Sequence, residues 1–565
     1  MTTPETPTIA AEALLMRLKA HGIDYLFANG GTDFAPIIEA YVTGGAKGSA
    51  MPQPLIIPHE TAAVAMAHGY YLATGRPQAV MVHVNVGLAN CVMGLINAAS
   101  ENIPMVILAG RTPITEHQRL GSRMTPIQYG QEMRDQSAMI RELVKWDYEL
   151  RYGEQVEALI DRAYTIAMSE PRGPVFLALP REPLAETMAE HWVAGRPRQV
   201  TPTAPQPDMQ AIREAAAMLA TAKTPLVICQ RGDPEGHTGR ALAKLATEFG
   251  LPVFESWANR NVLPTAHPMH CGFHYTPSLP EADVILVIDS QVPWIQRNHQ
   301  PGPGAKVIHI GADPLFSRFP VHSFPIDLAI TSVSAPAIEA LGAEMAKLAP
   351  DTQRRYAAIA ERNQQRHVAA KQKALAGNGS PMTPAFVSRC LAEALDKNAF
   401  HVSELGADAE HLDLETPNCL FTPAFSSGLG WGFPAALGAK LADRNRQVVA
   451  TMGDGCYMFA NPVACHQVAE AMELPLLVVV MNNGIWNAVR RAALAVYPTG
   501  EASKLPMLPI TSLSPSPDFA KIAEASRGWA ENVEKGVDLP GAIQRALHII
   551  KTEKRQALLN VKVSY

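Results

Sequence analysis

Short apolar runs rich in β-branched residues recur along the chain, each followed by a stretch with helical spacing. The first part contains YLFAN (25–29), PLIIP (54–58), AVMVHVNVG (79–87), PMVILAG (104–110) and PVFLALP (174–180). Most run without alternation of apolar and polar residues, as expected of strands covered on both faces. Helical stretches such as TAAVAMAHGYYLATG (61–75) lie between them, so the chain is built from βαβ units around parallel sheets. A polar, Pro-rich segment, AGRPRQVTPTAPQPD (194–208), has the composition of a linker. A second set follows with PLVICQ, ADVILVID and AKVIHIG, then a charged helical stretch that stops at GNGSP (377–381). The last third resumes with AFHVSELG, QVVATMGDG, LPLLVVVMNN and QALLNVKV. At 565 residues the chain exceeds what one core supports. Three doubly wound α/β domains with mostly parallel sheets are expected, over 1–190, 205–345 and 380–565.

Composition narrows the function classes. Hydrophobic residues make up 47% and charged residues 18%, and the net charge is −5 with Lys and Arg scattered. No basic footprint for nucleic acid is present. The start carries Glu5 and no basic region before an apolar stretch, and the longest strongly apolar run, LPLLVVVM (474–481), is too short to span a bilayer. Seven dispersed cysteines without a CxxC pair read as reduced thiols, so a cytoplasmic protein with no membrane partner is expected. A faint internal echo aligns GYYLATGRPQAVMVHVN (69–85) with GAKLADRNRQVVATMGD (438–454), matching at Gly, Leu, Ala and Gln.

The strand QVVATM ends in Gly453-Asp454-Gly455. Flanking glycines let the chain turn tightly and let a bulky group approach it, so the acid is either a turn-former or a cation ligand. A helix-length spacer separates it from Asn482-Asn483, which end the run LLVVVM. Adjacent parallel strands need such a crossover. Asp454 and Asn483 are therefore expected side by side at the carboxyl ends of neighbouring strands, where open α/β sheets bind ligands. One carboxylate and amide or backbone oxygens suit Mg²⁺ completed by phosphate oxygens.

This GDG…NN element resembles the cofactor signature of the thiamine diphosphate-dependent decarboxylase and acetohydroxyacid synthase superfamily. The resemblance covers nearly the whole chain and its order of pyrimidine-binding, central and diphosphate-binding domains. It implies that Asp454, the Asn483 side chain and the Ile485 carbonyl hold Mg²⁺. It also implies that Gly453, Gly455, Cys456, Gly406 and Ala407 lie near the diphosphate. IIPHETAAVAMAHGYYLATG is similar to the family segment that supplies one glutamate, which makes Glu60 the acid that hydrogen-bonds the aminopyrimidine and so promotes loss of the C2 proton. FSSGLGWGFPAALGAK matches the segment that props the bent cofactor, with Leu429 as the prop and the Ser427 carbonyl as acceptor for the 4′-amino group. The family draws these residues from two chains, so the resemblance implies self-association, as a dimer or tetramer, with the active site at the subunit interface.

The substrate side follows from the same resemblance. In YLFANGGTDFAPI, Asn29, Gly30 and Gly31 occupy the loop near the reacting carbon, and Thr32 matches a serine of benzoylformate decarboxylases. His83 matches a histidine of those enzymes that shuttles protons; on the sequence alone it is a histidine on a buried strand. His299, in the central-domain loop VPWIQRNHQPG, is the expected second histidine. Gln131 in YGQEMRDQ is similar to a synthase loop, which favours that side. The central turn CQRGDPEGH lacks the usual glycines, which counts against FAD. The implied activity is cleavage or formation of a C–C bond on a 2-oxo acid. Acetolactate synthesis and lysis of a 2-hydroxyacyl-CoA or 2-hydroxy ketone are the alternatives.

Overall fold

The structure, a computed structural model, describes residues 8–189 and 196–565. The tail through residue 7 and residues 194–195 of the expected linker lie outside the described residues. By its own internal contacts the chain divides into two compact units, one of Met1–Thr203 with Pro423–Ala442 and one of Ala204–Thr422 with Asp443–Tyr565.

The first unit is built on six parallel strands: β1 (Tyr25–Asn29), β2 (Gln53–Ile56), β3 (Ala79–Val82), β4 (Val106–Arg111), β5 (Asp147–Glu149) and β6 (Val175–Pro180). Their order across the sheet is β2-β1-β3-β4-β6-β5. The second unit holds two sheets. One comprises β7 (Pro225–Cys229), β8 (Val253–Phe254), β9 (Val284–Ile288), β10 (Lys306–Gly311) and β11 (Leu328–Thr331), ordered β11-β10-β9-β7-β8. The other comprises β12 (Phe400–Glu404), β13 (Leu420–Phe421), β14 (Val448–Gly453), β15 (Leu477–Asn482), β16 (Trp529–Val533) and β17 (Ala557–Lys562), ordered β13-β12-β14-β15-β17-β16. Strands β3, β7 and β9 are buried along their whole length, as the absence of alternation requires of parallel strands under helices on both faces. The expected fold class of three mostly parallel α/β sheets is what the chain adopts.

The first and last sheets share one wiring: in each, the first strand lies between the second and third, followed by the fourth, sixth and fifth. The internal echo aligns β3 with β14, the third strand of each sheet. Its matched glutamines have matched tasks. Gln78 Oε1 accepts from the amides of Asp24 and Tyr25 at 3.0 and 2.8 Å, and Gln447 Oε1 accepts from the amide of Asp396 at 2.8 Å. Each pins the chain entering the first strand of its sheet.

One stretch differs from expectation. AVMVHVNVG was expected to be strand, but β3 stops at Val82 and a helix spans Val84–Ser100. The Gly87 amide donates to the His83 carbonyl at 2.7 Å and closes the first helical turn. Val84 bends the chain with φ +33°, a rare conformation for a β-branched residue. Strand propensity here yields to tertiary context. His83 is thus not on a buried strand; it caps a helix at the sheet's carboxyl edge.

Candidate active site

In the first unit the helix Glu60–Thr74 begins at its namesake acid, and the His59 ring caps it by accepting from the Thr61 amide at 3.3 Å. Glu60 is 8% exposed. Asn90 Nδ2 donates to Glu60 Oε2 at 3.0 Å. A β-carbon built on Gly87 would stand 3.2 Å from the other carboxylate oxygen. The acid therefore sits in a narrow slot with one amide donor.

The carboxyl ends of β1 and β3, paired neighbours with Asn29 opposite Val82, carry the next cluster. Asp33, in the turn Thr32–Phe34, is 3% exposed. Its Oδ1 meets His83 Nδ1 at 2.5 Å and its Oδ2 accepts from the Val84 amide at 3.3 Å. On the far side of the ring, His83 Nε2 and Gln131 Nε2 are 3.1 Å apart. Two glycines make the space. A β-carbon on Gly31 would fall 2.1 Å from His83 Nδ1, and one on Gly110 would fall 1.5 Å from Asp33 Oδ2. The hydrogen bond to Asp33 raises the His83 pKa above that of a free imidazole; burial opposes this, and the charges of Asp33 and Glu60 reinforce it. Thr32 is exposed, and its carbonyl accepts from buried Arg181 at 3.1 Å. Asp33 is the residue the sequence hid, since an acid in GGTDF is indistinguishable there from an ordinary turn residue.

The loop before the helix Gly432–Ala442 also belongs to this unit. Ser427 is exposed at φ +50° and Leu429 is half-buried. Buried Asn97 secures the loop: its Nδ2 donates to the Gly428 carbonyl at 2.9 Å, and its Oδ1 accepts from the Gly428 amide at 3.0 Å and the Ser426 hydroxyl at 2.8 Å. Asn97 went unrecognised from sequence, where a lone amide in LINAAS carries no signal.

In the second unit, β14 and β15 pair in parallel with Gly453 opposite Met481, so the GDG turn and the Asn-Asn end lie side by side as the spacing predicts. Asp454 is 3% exposed; Oδ1 accepts from the Gly455 amide at 2.9 Å and Oδ2 from the Gly484 amide at 2.8 Å. Burial raises its pKa, against the pull of those amides. Among the described residues no Lys, Arg or His nitrogen pairs with this carboxylate. A buried acid without a positive partner is costly, and a divalent cation fits it. Asn483 Oδ1 accepts from the Ile485 amide at 3.0 Å, and the Ile485 carbonyl from the Asn487 amide at 2.9 Å; each oxygen retains a lone pair for a metal. Trp486 fills the space over Gly455, where a β-carbon would stand 2.1 Å from the indole.

Nearby, Leu405 at φ +54° leads the chain from β12 to Gly406, whose β-carbon would lie 2.3 Å from the Thr451 carbonyl carbon. The Ala407 amide donates to Thr451 Oγ1 at 3.0 Å. Cys456 is buried, which raises its thiol pKa and leaves it neutral. His299 lies in the loop after β9, half-buried, edge-on to the Tyr275 ring with centroids 6.0 Å apart. That loop belongs to the second unit, whereas Thr32 and His83 belong to the first.

Models of the thiamine pyrophosphate enzymes match three stretches: the N-terminal TPP binding domain over residues 9–139, the central domain over 212–341, and the C-terminal TPP binding domain over 405–561. The chain belongs to the thiamine pyrophosphate enzymes. Among relatives of this thiamine pyrophosphate enzyme, benzoylformate decarboxylase of Pseudomonas aeruginosa is 28% identical over 94% of this chain and 95% of its own. The acetolactate synthase large subunit of Haemophilus influenzae is 26% identical over 95% of this chain and 92% of its own. The fold is that of the thiamine diphosphate-dependent 4-hydroxybenzoylformate decarboxylase of Rhodococcus jostii, with TM-score 0.78 and 23% identity over 99% of each chain. The cofactor expectation of thiamine diphosphate is met at the level of the domains. No helix of the described residues is long and apolar enough to cross a membrane.

Proposed function

We propose that this enzyme decarboxylates a 2-oxo acid with thiamine diphosphate and Mg²⁺, and that His83 moves protons at the substrate. The carrying observation is the Asp33–His83–Gln131 array at the carboxyl edge of the first sheet. A histidine whose affinity for protons is raised is suited to donate one when the carboxylate has left as CO₂.

Bound thiamine diphosphate supplies the nucleophilic carbon and the electron sink that decarboxylation needs. Asp454, the Asn483 side chain and the Ile485 carbonyl would hold Mg²⁺ by their oxygens. Gly453, Gly455, Cys456, Gly406 and Ala407 would border the diphosphate. Glu60 would bond the aminopyrimidine ring, Ser427 would accept from its amino group through the carbonyl, and Leu429 would support the bend. Thr32 would bind the substrate carboxylate through its hydroxyl, and His299 would be a second proton carrier. The proposal includes self-association, with the working site completed between copies.

Carboligation to a second carbonyl compound is a second reading, favoured by the Gln131 amide beside His83. The test is a panel of 2-oxo acids on purified protein with thiamine diphosphate and Mg²⁺, following CO₂ and organic product, with Glu60→Gln as control. Aldehyde from one acid, reduced about 100-fold or more in the control, supports the proposal. A 2-hydroxy ketone as main product favours the second reading. CO₂ release unchanged in Glu60→Gln would overturn the assignment of Glu60.

A further inference from the structure

Beside the residues assigned to cofactor and substrate lies a buried ionisable group that none of those roles uses. Asp33 is 3% exposed and makes no contact that the fold alone demands: a neutral side chain could receive the Val84 amide equally well. The surroundings are nonetheless shaped around its carboxylate. Gly110 leaves room for one oxygen, Gly31 leaves room for the imidazole it holds, and Val84 adopts φ +33° where its amide reaches the other oxygen. Backbone in a sparsely populated region persists only where neighbours over-determine it, and such positions cluster at functional sites.

We propose that Asp33 is a positioning residue that commits His83 to proton transfer through Nε2. The proposal rests on the reading of His83 given above. The geometry carries it. A carboxylate at Nδ1 accepts a hydrogen bond and has none to give, so neutral His83 must carry its proton on Nδ1 and present Nε2 as the base. When His83 takes a second proton, Nε2–H becomes the donor and the Nδ1–H···Asp33 bond becomes charge-assisted. Gln131 serves both states. Its amide nitrogen faces Nε2, while its buried Oε1 has no hydrogen-bond partner among the described residues. A half-turn of the amide brings that oxygen to Nε2–H, so the same side chain donates to the neutral ring and accepts from the charged one.

The charged groups facing the ring agree in sign. Asp33 approaches from the turn after β1, and Glu60 acts from the start of its helix. Both favour the protonated ring, and the neighbour from the Gln131 side is neutral. Removing the Asp33 charge must therefore lower the pH at which His83 gives up its proton.

Asp33→Asn tests this, because it keeps shape and removes charge. The holoprotein with thiamine diphosphate and Mg²⁺ is labelled with ¹⁵N-histidine, and the His83 ring signal is identified by its loss in His83→Gln. In the unsubstituted protein the ring is expected as the Nδ1–H tautomer with a midpoint above that of a free imidazole. In Asp33→Asn the midpoint falls by about one unit or more, and the pH profile of kcat moves the same way while KM changes less than kcat. Equal ring titrations in the two proteins would overturn the proposal. So would a shifted ring titration with an unmoved kcat profile, since Asp33 would then be structural only. If no 2-oxo acid is turned over, the function assigned to the enzyme fails separately, and the ring titration still decides whether Asp33 governs His83.

Discussion

Gly69 of the Glu60–Thr74 helix meets Ala435 of the Gly432–Ala442 helix so closely that a β-carbon on the glycine would stand 1.9 Å from the Ala435 carbonyl oxygen. The reverse contact matches it: a β-carbon on Gly438 would stand 2.0 Å from the Met66 carbonyl oxygen. Gly69 follows Met66 by three residues, as Gly438 follows Ala435, so the two helices meet as equivalents about a local two-fold axis. Backbone lies on backbone here, and neither side has a flexible tip that could yield.

Gly69→Ala and Gly438→Ala should each destabilise the protein by about 1–3 kcal/mol through overpacking, despite the better helix propensity of alanine. The double variant should deviate from additivity, because the sites share one interface. Thermal and denaturant unfolding of the three variants measures both effects.

Among the described residues Asp454 has no positive partner, so a cation should stabilise the protein through it. Adding Mg²⁺ with thiamine diphosphate should raise Tm in the unsubstituted protein, and a chelator should reverse the gain. In Asp454→Asn neither addition should move Tm. A metal-dependent Tm retained in that variant would place the cation elsewhere.

Asn97 makes three hydrogen bonds to the loop that carries Ser427 and Leu429. Asn97→Ala leaves the Gly428 groups without these partners, at a cost of about 1–3 kcal/mol. The expected outcome is a lower Tm together with weaker thiamine diphosphate binding, read by calorimetry.

His83 gives stability a pH dependence. Its pKa in the fold is raised, chiefly by the bond to Asp33. The contribution is therefore fully present below the unfolded value of about 6.5 and fades as pH rises through the higher folded value. Asp33→Asn should destabilise the protein more at pH 5.5 than at pH 8.5. Denaturant titrations at the two pH values give the comparison, and an equal loss at both would contradict it.

Much of this was legible in the chain. Runs such as ADVILVID and LPLLVVVMNN point to buried parallel strands because they are short, rich in β-branched residues and apolar on both faces. The neighbourhood of Asp454 and Asn483 followed from a helix-length spacer. The Asp33–His83 contact did not, because it depends on β1 and β3 being adjacent, and strand order is not written in local pattern. AVMVHVNVG misled for a related reason: valines favour strand, but packing of the Val84–Ser100 helix decides the matter. Short strands such as β8 and β13 have two residues each and offer no periodicity to read.

The vacant corners at Gly31 and Gly110 constrain how such a site can arise. Neither the acid nor the imidazole fits where those positions bear a side chain, so the order of substitution matters: the glycines must be in place before Asp33 and His83 can pair. A thiamine pyrophosphate enzyme with aspartate and histidine at these places but alanine at either corner would have to hold the ring differently. Four letters, read together in a newly sequenced relative, therefore sort chains able to build this proton carrier from chains that must protonate by another route.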